Sequence, residues 1–218
     1  MNKNRFFSAQ QAFEFYYHYI IASHPFHKAN FAGTKAVFNE AFTIVNPLEN
    51  LIETEWRKWK EDYAKLEYEW YLSGNRDPAI VEQHAKLWTG MKDEFGFVNS
   101  NYGYWWKQNN QLENALDLIR KDPETRRAVV VHYNPNEVQN YGKDTPCNIV
   151  LNFYRLGNEL NLTIFARSID LVYGFCNDQY CFSRLQLDCA DKLGLTVGIS
   201  SWFITNLHIY PKHWYLRT

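Results

Sequence analysis

A chain of 218 residues, 46% hydrophobic and 22% charged, has the composition of an ordinary globular protein and the length to bury one sizeable core. A formal net charge of −1 excludes a general nucleic-acid or membrane-surface binder, whose affinity needs surplus Lys and Arg, so any anionic ligand is small and held by a few local arginines. No apolar run reaches transmembrane length and the N-terminal segment lacks a hydrophobic signal core, which places the expected location in the cytoplasm.

With no internal repeat, low-complexity tract or linker, residues 1–218 read as a single domain. Ser8 with Gln11 resembles a capping box and opens a helix to about residue 23. Residues 35–46, rich in Val, Phe, Thr and Ile and closed by Pro47, predict a strand. The stripe Ile52, Trp56, Trp59, Tyr63, Leu66, Trp70 alternates steps of four and three, which predicts one long helix over 48–72 ending at Gly74. Asp77-Pro78 predicts a short helix towards Trp88, and residues 111–120 another. After Asp122-Pro123 the pattern turns to strands: AVVVHY, then IVLNFYRL, a turn at Gly157-Asn158, and ELNLTIFARS. A helix over 179–192, for which N-capping is one of two alternative roles of Asp178, and a strand ISSWFITNLHIY complete the chain. Helices first and adjacent strands later predict an α+β fold with a largely antiparallel or mixed sheet. The 8 Trp, 15 Tyr and 15 Phe fit a flat-sided core better than a base-stacking surface.

Of four cysteines, Cys176, Cys181 and Cys189 read as reduced core residues, because their spacing matches neither a metal site nor a disulfide framework. Cys147, in DTPCNIVL, stands at the start of a strand that enters the core. Arg126-Arg127 opens one strand and Arg167 closes another. Strand-end charges gather at a sheet edge, where three guanidiniums would grip a phosphate and lower a nearby thiol's pKa. On a helical wheel Glu67 flanks the buried stripe while Glu69 faces solvent, so Glu67 is a general acid/base candidate with structural ion pairing as the competing reading. His208 and Tyr210 alternate along one strand face. The His-x-Glu and Pro-Cys-x-x-Cys elements of zinc deaminases and any Gly-rich phosphate loop are missing, so no metal is expected.

The segments SNYGYWW, DPETRRAVVVHYNP, PCNIVLNFY, ARSIDLVYGF and NLHIYPKHW resemble, in that order, the thymidylate synthase family over about residues 33–213. Within that family the chain is most similar to the phage-type deoxycytidylate 5-hydroxymethylase branch, through Ser100 to Gly103, Glu67 to Tyr71, and Asn177-Asp178. The resemblance implies a twisted mixed β-sheet with flanking helices, dimerising through the sheet, in the cytoplasm of a host if phage-encoded. It implies Cys147 as nucleophile and Arg126 and Arg127 as phosphate ligands donated across a homodimer. Arg167 and Ser168 then bind the same phosphate within the subunit, and Asp170 lies near folate and pyrimidine. His208 and Tyr210 hold the sugar hydroxyl, Glu67 manages protons through water, Trp88 is a folate-side tryptophan, and Tyr102 lines the site. The implied partners are a pyrimidine nucleoside monophosphate and 5,10-methylenetetrahydrofolate as co-substrate.

This chemistry accounts for the residue types. A thiolate added at carbon 6 makes carbon 5 nucleophilic enough to attack a one-carbon unit. Water capture of the resulting exocyclic methylene gives hydroxymethyl; hydride delivery gives methyl. An amide reads uracil, whereas the carboxyl of Asp178 suits the amino group and ring nitrogen 3 of cytosine, with Asn177 as a supporting amide. Departures from the family pattern are Asn148 and Asn152 after the nucleophile, and Phe31 near the first-loop basic position, leaving Lys28 or Lys35 as substitutes. The chain stops at Thr218, short of the segment that closes over folate in synthases, which fits water capture or a shortened chain. The expected activity is (deoxy)cytidylate 5-hydroxymethyl transfer; the competing readings are a methylating synthase and a nucleotide binder without folate chemistry.

Overall fold

β-branched and aromatic runs pair, in the computed structural model describing residues 4–23 and 33–215, into one mixed sheet. Its path is β1 (Arg5–Phe6), β2 (Lys35–Ile44), β7 (Thr196–Ile209), β5 (Glu159–Ala166), β4 (Asn148–Leu156) and β3 (Val129–Val131), with β6 (Ile169–Asp170) beside the end of β7. β2 is antiparallel to β7, β7 is parallel to β5, and β5, β4 and β3 alternate in direction. The β4–β5 hairpin turns at Gly157 and Asn158 as predicted, with Gly157 at φ 58°, a conformation glycine takes without steric cost.

The helices are α1 (Ala9–Ser23), α2 (Glu61–Ser73), α3 (Ala79–Glu82), α4 (Leu87–Met91), α5 (Tyr102–Lys107), α6 (Gln111–Lys121) and α7 (Cys176–Leu193). The fold is thus α+β, of the mixed-sheet kind expected. At the start of α1, Ser8 Oγ accepts from the Gln11 N–H, and Gln11 Oε1 accepts from the Phe7 N–H, a capping box whose return bond falls one residue early. No helix among the described residues is long and apolar enough to cross a membrane.

One sheet face is sealed. Leu151, Phe153, Leu160, Leu162, Ile164, Trp202 and Ile204 meet α7, which buries Cys176, Cys181, Phe182, Leu185 and Cys189. Each large side chain buried this way contributes about 1.5–3 kcal/mol. On the opposite face Val129, Val131, Phe165 and Phe203 stay 38–46% exposed, with the Phe165 and Phe203 rings stacked at 5.2 Å.

The long helix over 48–72 is a misreading, since only its second half is helical. Lys58 at φ 48° breaks the chain after a single 3₁₀ turn (Glu55–Arg57), and Lys60 is extended ahead of α2. The tryptophans of the false stripe are held by aromatic packing instead: Trp56 against Tyr17 at 4.6 Å and Trp59 against Tyr180 at 5.7 Å. Gly74 at φ 66° ends α2 as expected. The helix predicted after Asp77-Pro78 is two short ones, α3 and α4, and α7 begins three residues before its predicted start.

Candidate active site

Cys147 directly precedes β4, and Arg167 directly follows β5. The pairing of Asn148 with Ala166 brings them together, and the Arg167 N–H donates to the Cys147 carbonyl at 2.9 Å. Nε and Nη2 of Arg167 donate to the carbonyls of Pro146 and Thr145 at 3.0 and 2.7 Å, and Nη2 lies 3.7 Å from Cys147 Sγ. Burial pushes the half-buried thiol up to about 12. Arg167 pulls it down, while Asp178, Asp144 and Asp170 add to the rise.

Three guanidiniums therefore do not converge within one chain, and the expected lowering of the thiol does not occur there. Arg126 and Arg127 are exposed ahead of β3, and the Ala128 carbonyl accepts from the Phe153 N–H, six residues along β4 from Cys147. At the usual strand rise that is roughly 20 Å. Opposite ends of an antiparallel pair share an edge only when the strands are short, and β4 is not.

A single π turn (Leu171–Phe175), capped by Asp170 Oδ1 accepting from the Val172 N–H at 2.9 Å, leads into α7. Asp178 then falls inside the first turn of α7 and is not its N-cap, which corrects the alternative role expected for it. Its side chain is buried, and Oδ2 accepts from Asn148 Nδ2 at 2.9 Å. Burial, then the charge of Glu67, push Asp178 up to about 8. Asn148 Nδ2 also donates to the Tyr102 hydroxyl at 2.9 Å, as does the Asn148 backbone N–H at 3.3 Å.

Glu67 on α2 is buried, as the wheel predicts, and Glu69 is exposed. Tyr71 donates to Glu67 Oε1 at 2.8 Å, Asn177 Nδ2 donates to Oε2 at 2.9 Å, and the Tyr63 hydroxyl also bonds it. Burial outweighs these bonds and raises Glu67 to about 6. It makes no ion pair among the described residues, so the competing structural reading falls away. Asn177 accepts from Trp59 Nε1 at 2.8 Å, which fixes the amide.

His208 pairs with Asp170 across β6 and β7, and its Nδ1 meets Asn206 Oδ1 at 2.8 Å. Burial lowers it to about 4, so it is neutral. Tyr210 lies one residue past β7, yet its ring meets His208 edge-on at 5.2 Å. Asp170, half-buried, is raised to about 6 by burial. Trp88 is buried against Trp70, and its indole donates to Tyr63 at 2.9 Å. Ser168 is half-buried beside Arg167. Lys28 and Phe31 lie outside the described residues, while Lys35 is committed to the Ile21 carbonyl and the Trp214 ring. Among the described residues no group of three His, Cys, Asp or Glu is placed to hold a metal ion.

Sequence reasoning missed Tyr63 and Tyr71 as partners of Glu67. Their signal was spacing, four residues either side on one helix face. It also treated Asn148 only as a departure, not as the link between the Cys147 backbone and Asp178.

A family model described as thymidylate synthase matches residues 28–216. A deoxyuridylate hydroxymethyltransferase of Bacillus phage SP01 is 32% identical over 181 residues, which cover 76% of this chain and 47% of that protein. A thymidylate synthase of Fusobacterium nucleatum is 28% identical over 170 residues, covering 76% of this chain and 62% of that protein. A deoxycytidylate 5-hydroxymethyltransferase of Enterobacteria phage T4 is 28% identical over 173 residues, covering 72% and 70%. The chain thus spans about half to two thirds of the length of these relatives.

Proposed function

The chain belongs to the thymidylate synthase family, and from that premise we propose that it transfers a one-carbon unit to carbon 5 of a cytosine nucleotide and releases a 5-hydroxymethyl product. The observation that carries the reading is Asp178, a buried carboxyl bonded at 2.9 Å to the residue that follows Cys147. Raised to about 8, it keeps its proton at neutral pH. A neutral carboxyl donates through its hydroxyl and accepts through its carbonyl. Cytosine offers the complement, since ring nitrogen 3 accepts and the 4-amino group donates.

Cys147 adds to carbon 6, and carbon 5 becomes the nucleophile. The thiol, at about 12 in a single chain, needs further positive charge to ionise. In this reading Arg167 and Ser168 supply part of the phosphate site, and the partner's Arg126 and the partner's Arg127 supply the rest. The apolar sheet face at Val129, Val131, Phe165 and Phe203 supports dimerisation, because a lone chain would leave it wet. Bound 5,10-methylenetetrahydrofolate supplies the one-carbon unit at the oxidation level of formaldehyde. The half-exposed carboxyl of Asp170 and the Trp88 indole, joined through Tyr63 to Glu67, fit a flat ligand with N–H groups. Glu67, poised near 6, takes the carbon 5 proton and serves the water that completes the product. His208 and Tyr210 hold the sugar.

A second reading replaces cytosine with uracil, and the deoxyuridylate hydroxymethyltransferase relative favours it. Incubation with dCMP, CMP or dUMP and methylenetetrahydrofolate separates the readings. The expected result is a 5-hydroxymethyl cytosine nucleotide without dihydrofolate. A 5-methyl product with stoichiometric dihydrofolate, or turnover of dUMP alone, overturns the proposal.

A further inference from the structure

We propose that Asn148 is a specificity-positioning residue, whose side-chain N–H holds Asp178 Oδ2 as the carbonyl oxygen and so leaves the hydroxyl of Asp178 on Oδ1, towards the base. The inference rests on the reading of Asp178 as the group that meets the pyrimidine. Asn148 is fully buried and its Nδ2 is 2.9 Å from Asp178 Oδ2 and 2.9 Å from the Tyr102 hydroxyl. No donor or acceptor of the described residues engages Asp178 Oδ1, nor is that oxygen among the sealed, partnerless atoms.

A protonated carboxyl has one good acceptor, its carbonyl oxygen, and one donor. Whichever oxygen accepts the amide N–H keeps the carbonyl character, so the proton goes to the other. An O–H fixed on Oδ1 donates to ring nitrogen 3 of cytosine. The same O–H opposes the ring N–H of uracil, donor against donor, and a carboxyl free to exchange its proton between oxygens would not make that distinction. Discrimination would then depend on Asn148 as well as on the acid at 178.

The titratable groups facing Asp178 are Glu67 and Tyr71 from α2, Tyr102 from α5, Cys147 at the head of β4, Asp170 from β6, and Cys181 within α7. Burial raises Glu67 and Asp170 to about 6 and pushes the tyrosines and, in a single chain, the thiols far up. Ionisation of Cys147 under the partner's charge affects both nucleotides alike and cancels in their ratio, so a change of that ratio near 8 reports Asp178.

The test is the ratio of kcat/KM for dCMP over dUMP, followed from about pH 6 to pH 9 in wild type, Asn148→Ala, Asn148→Leu and Asp178→Asn. Wild type is expected to prefer dCMP, with the preference fading as Asp178 ionises. Either Asn148 variant is expected to lower the ratio at least tenfold at pH 7. It also moves the fading to higher pH, since the lost N–H had favoured the ionised form. A folded Asn148 variant that keeps both the ratio and its pH profile overturns the inference, and means that the amide is turned with its oxygen towards Asp178. If neither variant folds, the wild-type profile decides, and a flat one overturns it. A wild type without preference for dCMP, or an Asp178→Asn variant that keeps the preference, sinks the reading of Asp178 and this inference with it.

Discussion

Asp178 and Glu67 hold protons more tightly than carboxyls in water, to about 8 and about 6, because burial penalises charge more than their hydrogen bonds reward it. Such a group has a sign in stability. The unfolded chain releases its proton first, near pH 4, so stability present below that is lost as pH rises towards 8. Asp178→Asn removes the ionisation and keeps a donor and an acceptor. It should therefore gain on wild type between about pH 5 and about pH 9 by roughly 4 kcal/mol, or roughly 8–16 °C for a chain of this size. Melting curves of the two proteins at both pH values check this, and a gap that does not widen with pH contradicts the assigned burial cost. Sequence made Glu67 legible because a helical wheel fixes its side. The acid at 178 was legible as chemistry but not as structure, since a residue just before a predicted helix looks like a cap when the helix has begun two residues earlier. The thiol at 147 was legible by position, whereas its electrostatics were not, because the chain order hides that Arg126 sits a strand's length away.

α2 carries Glu67, and α5, which carries Tyr102, lies tightly against it. At Gly103 a Cβ would come within 1.5 Å of the Tyr71 carbonyl oxygen, so only glycine allows this approach. Gly103→Ala must push the two helices apart, and the expected cost is about 3 kcal/mol or more, with Tyr71 and Tyr102 displaced together. A denaturant titration showing a loss below about 1 kcal/mol would contradict this packing. The β4–β5 hairpin was readable from its Gly-Asn turn because strand pairing there is local, and the closing strand was readable from its own apolar run although its partners, β2 and β5, are remote in sequence. The segment before α2 was not readable, because Trp56 and Trp59 fall at helical spacing while their partners, on α1 and α7, are remote in sequence. Periodicity reports a buried side, not the backbone that delivers it.

The whole molecule, in one copy, has one sheet face covered by α7 and the other lined by Val129, Val131, Phe165 and Phe203. Arg126 and Arg127 stand exposed far from the thiol they are proposed to serve. The two-fold pairing proposed above, through that open face, would account for both. If each site takes its nucleophile from one copy and these arginines from the other, inactive Cys147→Ala and inactive Arg126→Ala proteins, mixed and allowed to exchange, should regain about a quarter of wild-type sites. Activity that stays absent after subunit exchange has been demonstrated would place the phosphate ligands elsewhere. A twisted mixed sheet with flanking helices was implied by family resemblance, but its strand order was not read; the exposed apolar face could not have been read from alternation alone, since its residues look as buried as those opposite.

The most direct test of covalent activation by Cys147 is release of tritium from carbon 5 of labelled dCMP in the presence of methylenetetrahydrofolate. Wild type should release it steadily, and Cys147→Ala should release it at least about a thousandfold more slowly if the Cys147 thiolate is what makes carbon 5 nucleophilic. Equal release by the two proteins, or none by the wild type, would contradict the account.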